Sequence, residues 1–193
     1  MKEKFVLVLP DIRSAHNVGA MFRTADGAGV DKIYLTGYTA RPPHPQLDKV
    51  SLGAEKWLPS EYHRQTWRLL TQLREKGYNI VALEKTATSR NLFGFKPKFP
   101  LALVVGNEKT GVTKNLLKYC QSAVHIPMAG KKSSLNVSVA AGVAMYQISL
   151  ASGSPLFPKG SLWLAGMTNN KNDPLLVSPL VRGRNNHICQ NTL

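Results

Sequence analysis

Cysteine is nearly absent from this chain. Two residues in 193, Cys120 and Cys189, are too few for a disulfide framework, and they offer no zinc-ligand spacing. The expectation is a reducing, cytoplasmic setting and no structural metal. Acidic residues are scarce too: 11 Asp and Glu against 25 Lys and Arg leave a formal net charge of +14. That excess points to a polyanionic partner, with nucleic acid the first candidate. No apolar run reaches the roughly 20 residues of a membrane span. The longest, 135–150, is interrupted by Asn136, Ser138 and Gln147. Residues 1–4 lead straight into a short apolar run with neither a signal h-region nor a cleavage site, so no targeting segment is expected. Asn136-Val137-Ser138 matches the glycosylation sequon, but without a secretory signal the match is read as accidental. No internal repeat is found.

What is present is an alternation of buried strands and helices. Residues 5–9 form a continuous apolar run ended by Pro10, suited to a strand covered on both faces. Val18, Met21, Phe22 and Ala25 then recur at helical spacing, and Gly27 and Gly29 provide the stop. A strand follows at 32–35. The stretch 37–59, with four prolines, is expected to be loop or short turns, and a helix from Ser60 through Trp67, Leu70 and Leu73 to Gly77 comes next. Further strands are expected at 78–83, 101–105 and 123–126, with helices at 113–120 and 134–150. The pattern is α/β with a parallel sheet, a single domain over 1–150, and a weakly ordered C-terminal tail over 151–193.

Three segments concentrate polar chemistry where strands end, which is where open α/β sheets place ligands. In the first, Asn17 can cap a helix, Gly19 permits close approach of another backbone, and Arg23 offers a planar fork of donors. The second, Gly106-Asn107-Glu108-Lys109-Thr110-Gly111, follows a strand but lacks the Lys-Ser/Thr pair that a phosphate loop needs after its second glycine. In the third, Ile126-Pro127-Met128 leads through Gly130, which frees the backbone to turn, to Lys131, Lys132, Ser133, Ser134, Leu135 and Asn136; Ser134 or Asn136 can cap the helix that follows. That is more polar chemistry than a helix start requires, so the segment reads as half of a pocket.

Taken together and in this order, the three segments resemble the motifs of the SpoU/TrmH-type RNA 2′-O-ribose methyltransferases of the SPOUT superfamily, over roughly residues 6–148. Asn17, Gly19 and Arg23 match the first motif; Gly106, Asn107, Glu108 and Gly111 the second; Ile126, Pro127, Met128, Gly130, Ser134, Leu135 and Asn136 the third. The resemblance implies an α/β knot, S-adenosylmethionine as cofactor, and a homodimer in which one protomer's pocket lies near its partner's first motif. It implies a cofactor pocket lined by Leu83, Gly106, Asn107, Gly111, Ile126, Met128, Ser134 and Leu135, and a catalytic set of Asn17, Arg23, Glu108, Ser134 and Asn136.

The implied reaction is displacement of the sulfonium methyl by a ribose 2′-hydroxyl, which demands alignment and a route for the proton. The resemblance assigns Arg23 to that hydroxyl. Because a guanidinium stays charged, Arg23 is expected to clamp a phosphate and orient the hydroxyl. Arg41, Lys131 and Lys132, with His44, are candidates for RNA backbone contact. A tRNA substrate is favoured, because the first motif begins so near the start of the chain that no preceding RNA-recognition domain is expected. Ribosomal RNA methylation and a non-catalytic RNA-binding module on the same fold are the alternatives. A nucleotide-dependent enzyme is disfavoured by the missing phosphate fingerprints.

Overall fold

A computed structural model describes residues 4–152 of the chain. Seven strands form one sheet: β1 (Phe5–Pro10), β2 (Lys32–Thr36), β3 (Ser60–His63), β4 (Asn79–Leu83), β5 (Arg90–Asn91), β6 (Leu101–Val105) and β7 (Ser122–His125). Their order is β3-β2-β1-β6-β4-β7-β5, and every pairing between them is parallel. Five α-helices lie between them, α1 (Ala15–Gly27), α2 (Pro45–Ser51), α3 (Ala54–Trp57), α4 (Thr66–Glu75) and α5 (Lys114–Leu117), and α6 (Val137–Ala151) follows the last strand.

The continuous apolar runs have a simple cause, since both faces of the central strands are covered. Phe5, Leu7 and Leu9 enter one core with α1 and α6, whereas Val6 and Val8 enter a second core with α4. The same alternation holds in β6, with Leu101, Leu103 and Val105 on the first side and Ala102 and Val104 on the other. In the first core, α1 and α2 pack backbone to backbone at Gly19. A Cβ there would stand 2.5 Å from the Leu47 carbonyl oxygen, which bears out the close approach expected of that glycine. At the far end of α1, the buried Ser149 hydroxyl donates to the Ala28 carbonyl at 2.6 Å and fastens α6 in place.

Chain order and sheet order part company after β4. The chain runs out to β5 at the sheet edge and back to β6 beside β1, and β7 then inserts between β4 and β5. Strand β7 thus pairs with both strands of that excursion, β4 and β5, as the implied knot requires.

Several sequence expectations need correction. Residues 60–63 are a strand, not the start of a helix: they pair with β2 from Ile33↔Ser60 to Thr36↔His63. The helix begins only at Thr66. This edge strand is polar on both faces, so period-2 alternation gives no signal. Its Glu61 meets Lys32 at 2.9 Å and His63 at 2.8 Å, and the Lys32 ammonium, followed by the His63 ring, holds the Glu61 carboxyl below its ordinary range. Asn17 does not cap α1. Ser14 does, its hydroxyl accepting the Asn17 backbone N–H at 3.3 Å. Of the two proposed caps for α6, Asn136 serves, accepting the Ser138 N–H at 2.8 Å. The helix expected over 113–120 shrinks to α5, the Pro-rich stretch contains α2 and α3, and β5 was not foreseen. Gly130 lacks a positive φ, and a Cβ there would meet nothing within 4 Å, so its freedom is not what turns the chain. The tail expected from residue 151 lies outside the described residues except for Ala151 and Ser152.

Candidate functional site

The C-terminal ends of β4, β6 and β7 surround a cavity of about 560 Å³, closed on one side by residues 133–137 and Ala140. Leu83, Val105, Ile126 and Leu135 supply apolar walls, and the turn from Gly106 to Gly111 supplies a polar rim. This is the crevice outside the carboxyl ends of the strands where open α/β sheets bind ligands.

The turn is over-determined. Asn107 and Gly111 exchange backbone hydrogen bonds at 3.1 and 2.9 Å. The Asn107 carboxamide oxygen accepts the N–H groups of Lys109 (2.9 Å) and Thr110 (3.2 Å), while its nitrogen donates to Tyr38 Oη at 2.8 Å and to the Asp11 carbonyl. A Cβ on Gly106 would lie 2.5 Å from the Gly111 carbonyl carbon, so the two limbs close only over glycine. Gly111 has φ +64°, which favours glycine. Its Cα abuts Glu84, whose carboxylate accepts the Val112 N–H at 2.7 Å and the Lys85 N–H at 2.9 Å.

Glu108 reaches out of the turn to the start of α1. One oxygen accepts the Arg13 N–H at 2.9 Å; the other accepts the Ser14 N–H at 3.0 Å and the Asn17 side-chain nitrogen at 3.1 Å. Burial by itself would raise the Glu108 pKa, but the N–H groups of Arg13 and Ser14, its own N–H and the Asn17 amide together outweigh it. The carboxyl therefore titrates below its ordinary range and is ionised at neutral pH. An ionised carboxylate only accepts, so it fixes the Asn17 amide with nitrogen toward Glu108 and oxygen toward Asn136. Asn136 Nδ2 donates to that oxygen at 3.4 Å, and its own oxygen accepts from Ser138 N and Oγ at 2.8 and 2.7 Å. Three segments up to 119 residues apart are thus joined in one directed chain of amides.

The structure gathers most of the sequence candidates. Leu83, Gly106, Asn107, Glu108, Gly111, Ile126, Met128, Ser134, Leu135 and Asn136 all line the cavity, and Asn17 joins it through Glu108 and Asn136. Arg23 does not. It is exposed on α1, six residues beyond Asn17 and hence about 9 Å further along the axis. Lys131 and Lys132 are exposed on the 126–136 segment without lining the cavity. Arg41 stacks over the Tyr62 ring, 4.3 Å from its centroid. Sequence reasoning missed Glu84 and His125. Glu84 directly follows a buried strand, and Glu108 is the third residue past β6, so an acid just past a strand end was the signal available. His125 Nδ1 lies 2.9 Å from Ser89 Oγ at the cavity wall.

The donor set fits S-adenosylmethionine in its chemistry: apolar walls for a flat ring, a glycine cradle that a Cβ would fill, and hydrogen-bonding groups at the rim. Among the described residues, no cluster of three or more His, Cys, Asp or Glu could hold a metal, and no helix is long and apolar enough to cross a membrane.

An all-parallel α/β sheet with a crevice at its carboxyl edge and three distant segments knit by amides defines an α/β domain built to bind a small molecule. The chain belongs to the SpoU rRNA Methylase family, whose sequence profile matches residues 4–146. It is 36% identical over 143 residues to the 23S rRNA (guanosine-2′-O-)-methyltransferase RlmB of Pectobacterium atrosepticum, covering 74% of this chain and 58% of that protein. The chain thus spans a little over half the length of the curated relatives it matches. Among solved structures it resembles an AdoMet-bound rRNA methyltransferase from Sinorhizobium meliloti (28% identity, TM-score 0.71, covering 76% of this chain and 56% of that one). It resembles the TrmH/SpoU tRNA modifying enzyme of A. aeolicus as closely (28%, TM-score 0.72, 79% and 77%).

Proposed function

We propose that this domain transfers a methyl group from S-adenosylmethionine to a ribose 2′-hydroxyl of RNA. The observation that carries the reading is the directed chain Glu108–Asn17–Asn136 at the rim of a cofactor-sized cavity. When bound, the cofactor supplies an electrophilic methyl on a sulfonium. The protein's part is positioning. Leu83, Ile126, Met128 and Leu135 hold the cofactor with Gly106, Asn107 and Gly111, and Glu108 keeps the Asn17 and Asn136 amides aimed. Ser134, exposed on the cavity wall, is the hydroxyl assigned to contact either ligand. Lys131, Lys132 and Arg41 are assigned to RNA phosphates, consistent with the net charge of +14.

The working unit we assign is a homodimer. Val139, Tyr146 and Leu150 on α6 are 52%, 41% and 59% exposed at helical spacing, an apolar face that a second copy would cover. The position of Arg23 supports the same reading, since an exposed arginine that does not line its own cavity can serve a partner's. Mixed dimers test this. Arg23→Ala and Gly106→Ala chains, each impaired alone at subsaturating cofactor, should regain activity when mixed, because one site then combines an intact pocket with an intact Arg23. No recovery in a verified mixed dimer would place Arg23 at its own site or remove it from catalysis.

Within RNA, tRNA is the substrate we assign. The likeness to the A. aeolicus tRNA modifying enzyme, over 79% of this chain with a TM-score of 0.72, supports that reading. The greater identity to the 23S enzyme favours rRNA as the second reading. Calorimetry with S-adenosylmethionine followed by methylation of purified tRNA and rRNA pools tests both steps. A folded protein that releases no heat with the cofactor would defeat the enzyme reading and leave an RNA-binding module.

A further inference from the structure

The large cavity does not end at its rim. A hollow of about 110 Å³ shares Asn107, Thr110 and Gly111 with it and continues past Tyr38 to Leu116. A second hollow, about 330 Å³, takes over at Leu116 and is walled by Trp67, Asn115, Lys118 and Tyr119. Shared lining residues thus place the three in succession, from the carboxyl edge of β6 over α5 to the first turn of α4.

The far end of that track is chemically distinctive. Trp67 sits at the spacing of the buried Leu70 and Leu73, yet it remains 43% exposed. Its ring lies 6.4 Å from the Tyr119 ring with a 34° tilt, and the Arg68 guanidinium is 5.2 Å from its centroid. Lys118 lines the hollow, Lys114 is exposed one helical turn away, and no carboxylate is among the lining residues. An exposed indole beside a second ring, edged by cations, matches the two halves of a nucleotide: a π face for the base and positive charge for the phosphate.

We propose that the hollow between α4 and α5 is a nucleotide subsite, in which an unpaired base of bound RNA stacks on Trp67 and Tyr119 while Arg68 and Lys118 hold the adjoining phosphate. The inference rests on the RNA reading above and adds a path for the strand: from the target ribose at the large cavity, past Tyr38 and Leu116, to Trp67. Charge complementarity selects the occupant, because in a chain of net charge +14 the one charged residue lining this hollow is the cation Lys118, with the Arg68 guanidinium beside Trp67.

The test uses the full chain carrying Trp57→Phe and Trp163→Phe, which leaves Trp67 the sole tryptophan. Short single-stranded oligouridine should quench its fluorescence saturably, and more weakly at high salt. In the wild-type background, Trp67→Ala should weaken oligouridine binding about 10-fold, while Trp67→Phe retains most of the affinity. Thermal unfolding and S-adenosylmethionine binding, measured on the same variants, should stay at wild-type values. Absent quenching with unchanged oligouridine affinity in Trp67→Ala overturns the subsite, and cofactor binding in that protein leaves the methyltransferase reading standing. A Trp67→Ala chain that loses cofactor affinity and thermal stability together also overturns it, by making the ring structural. Quenching in a protein that binds no cofactor supports the subsite and removes the enzyme reading instead.

Discussion

Replacing Gly106 with Ala should weaken cofactor binding at least about 30-fold while leaving the domain folded. Gly106 has no positive φ, so alanine adds no backbone strain and the effect is purely one of space. The new Cβ would lie 2.5 Å from the Gly111 carbonyl carbon, 2.6 Å from Val112 N and 2.7 Å from Gly111 Cα. Carbon atoms settle at about 3.5–4.0 Å, so the facing limb must retreat by about 1 Å. All three atoms are backbone, and no side chain can swing aside to relieve them. A retreat of that size breaks the 2.9 and 3.1 Å bonds between Asn107 and Gly111 and disturbs the Val112 N–H to Glu84 bond at 2.7 Å. Overpacking of this kind costs about 1–3 kcal/mol, within the stability of an ordinary domain. The cavity rim, however, is the part that moves. Calorimetry should show S-adenosylmethionine affinity reduced at least about 30-fold, since displacement forfeits about 2 kcal/mol or more of contact. Circular dichroism should show a folded protein. Wild-type affinity in a folded Gly106→Ala chain would refute the assignment of this turn to the cofactor.

Other outcomes follow from the same geometry. Glu108→Gln should cost about 1 kcal/mol of stability, because a carboxamide cannot accept from Arg13, Ser14 and Asn17 as a carboxylate does, and it should lower methylation at least about 10-fold by freeing the Asn17 amide to flip. The Glu108 carboxyl is depressed on folding, so its contribution to stability is complete above the ordinary glutamate pKa and is lost as pH falls through the lower folded value. The difference in unfolding free energy between wild type and Glu108→Gln should therefore persist at pH 6 and shrink in stronger acid; a gap that widens in acid contradicts it. Gly19→Ala should lower the unfolding free energy by about 2 kcal/mol in chemical denaturation, through a Cβ 2.5 Å from the Leu47 oxygen, without touching the cavity. In a Cys189→Ser background, iodoacetamide should react slowly at pH 8, because burial pushes the Cys120 thiol up to about 12. Rapid labelling of the native protein would count against that burial.

The sheet was legible because burial on both faces leaves unbroken apolar runs, as β1, β2, β4 and β6 carry, while β7 offered only Ala123 and Val124 ahead of Ile126. Edge strands β3 and β5 were not, since Ser60–His63 and Arg90–Asn91 expose most of their side chains and bury no pattern. Trp67 fell at the helical spacing of Leu70 and Leu73, and spacing alone cannot show that the core closes before reaching it. The site was legible as a set of residues rather than as a geometry. Asn17, Glu108 and Asn136 stood out as polar groups at strand ends, but that Glu108 aims the other two depends on β1 and β6 lying side by side. Glu84 escaped notice because its role is to accept from a turn 28 residues away.

The central claim is that the cavity and its amide chain deliver a methyl group to a ribose oxygen. Purified protein, methyl-labelled S-adenosylmethionine and total tRNA and rRNA, digested to nucleosides and resolved by mass spectrometry, test it directly. Label should appear in 2′-O-methylnucleosides, at least about 10-fold less with Glu108→Gln and, at subsaturating cofactor, at least about 30-fold less with Gly106→Ala. Label on a base, or no transfer by a protein that binds both cofactor and RNA, would contradict it.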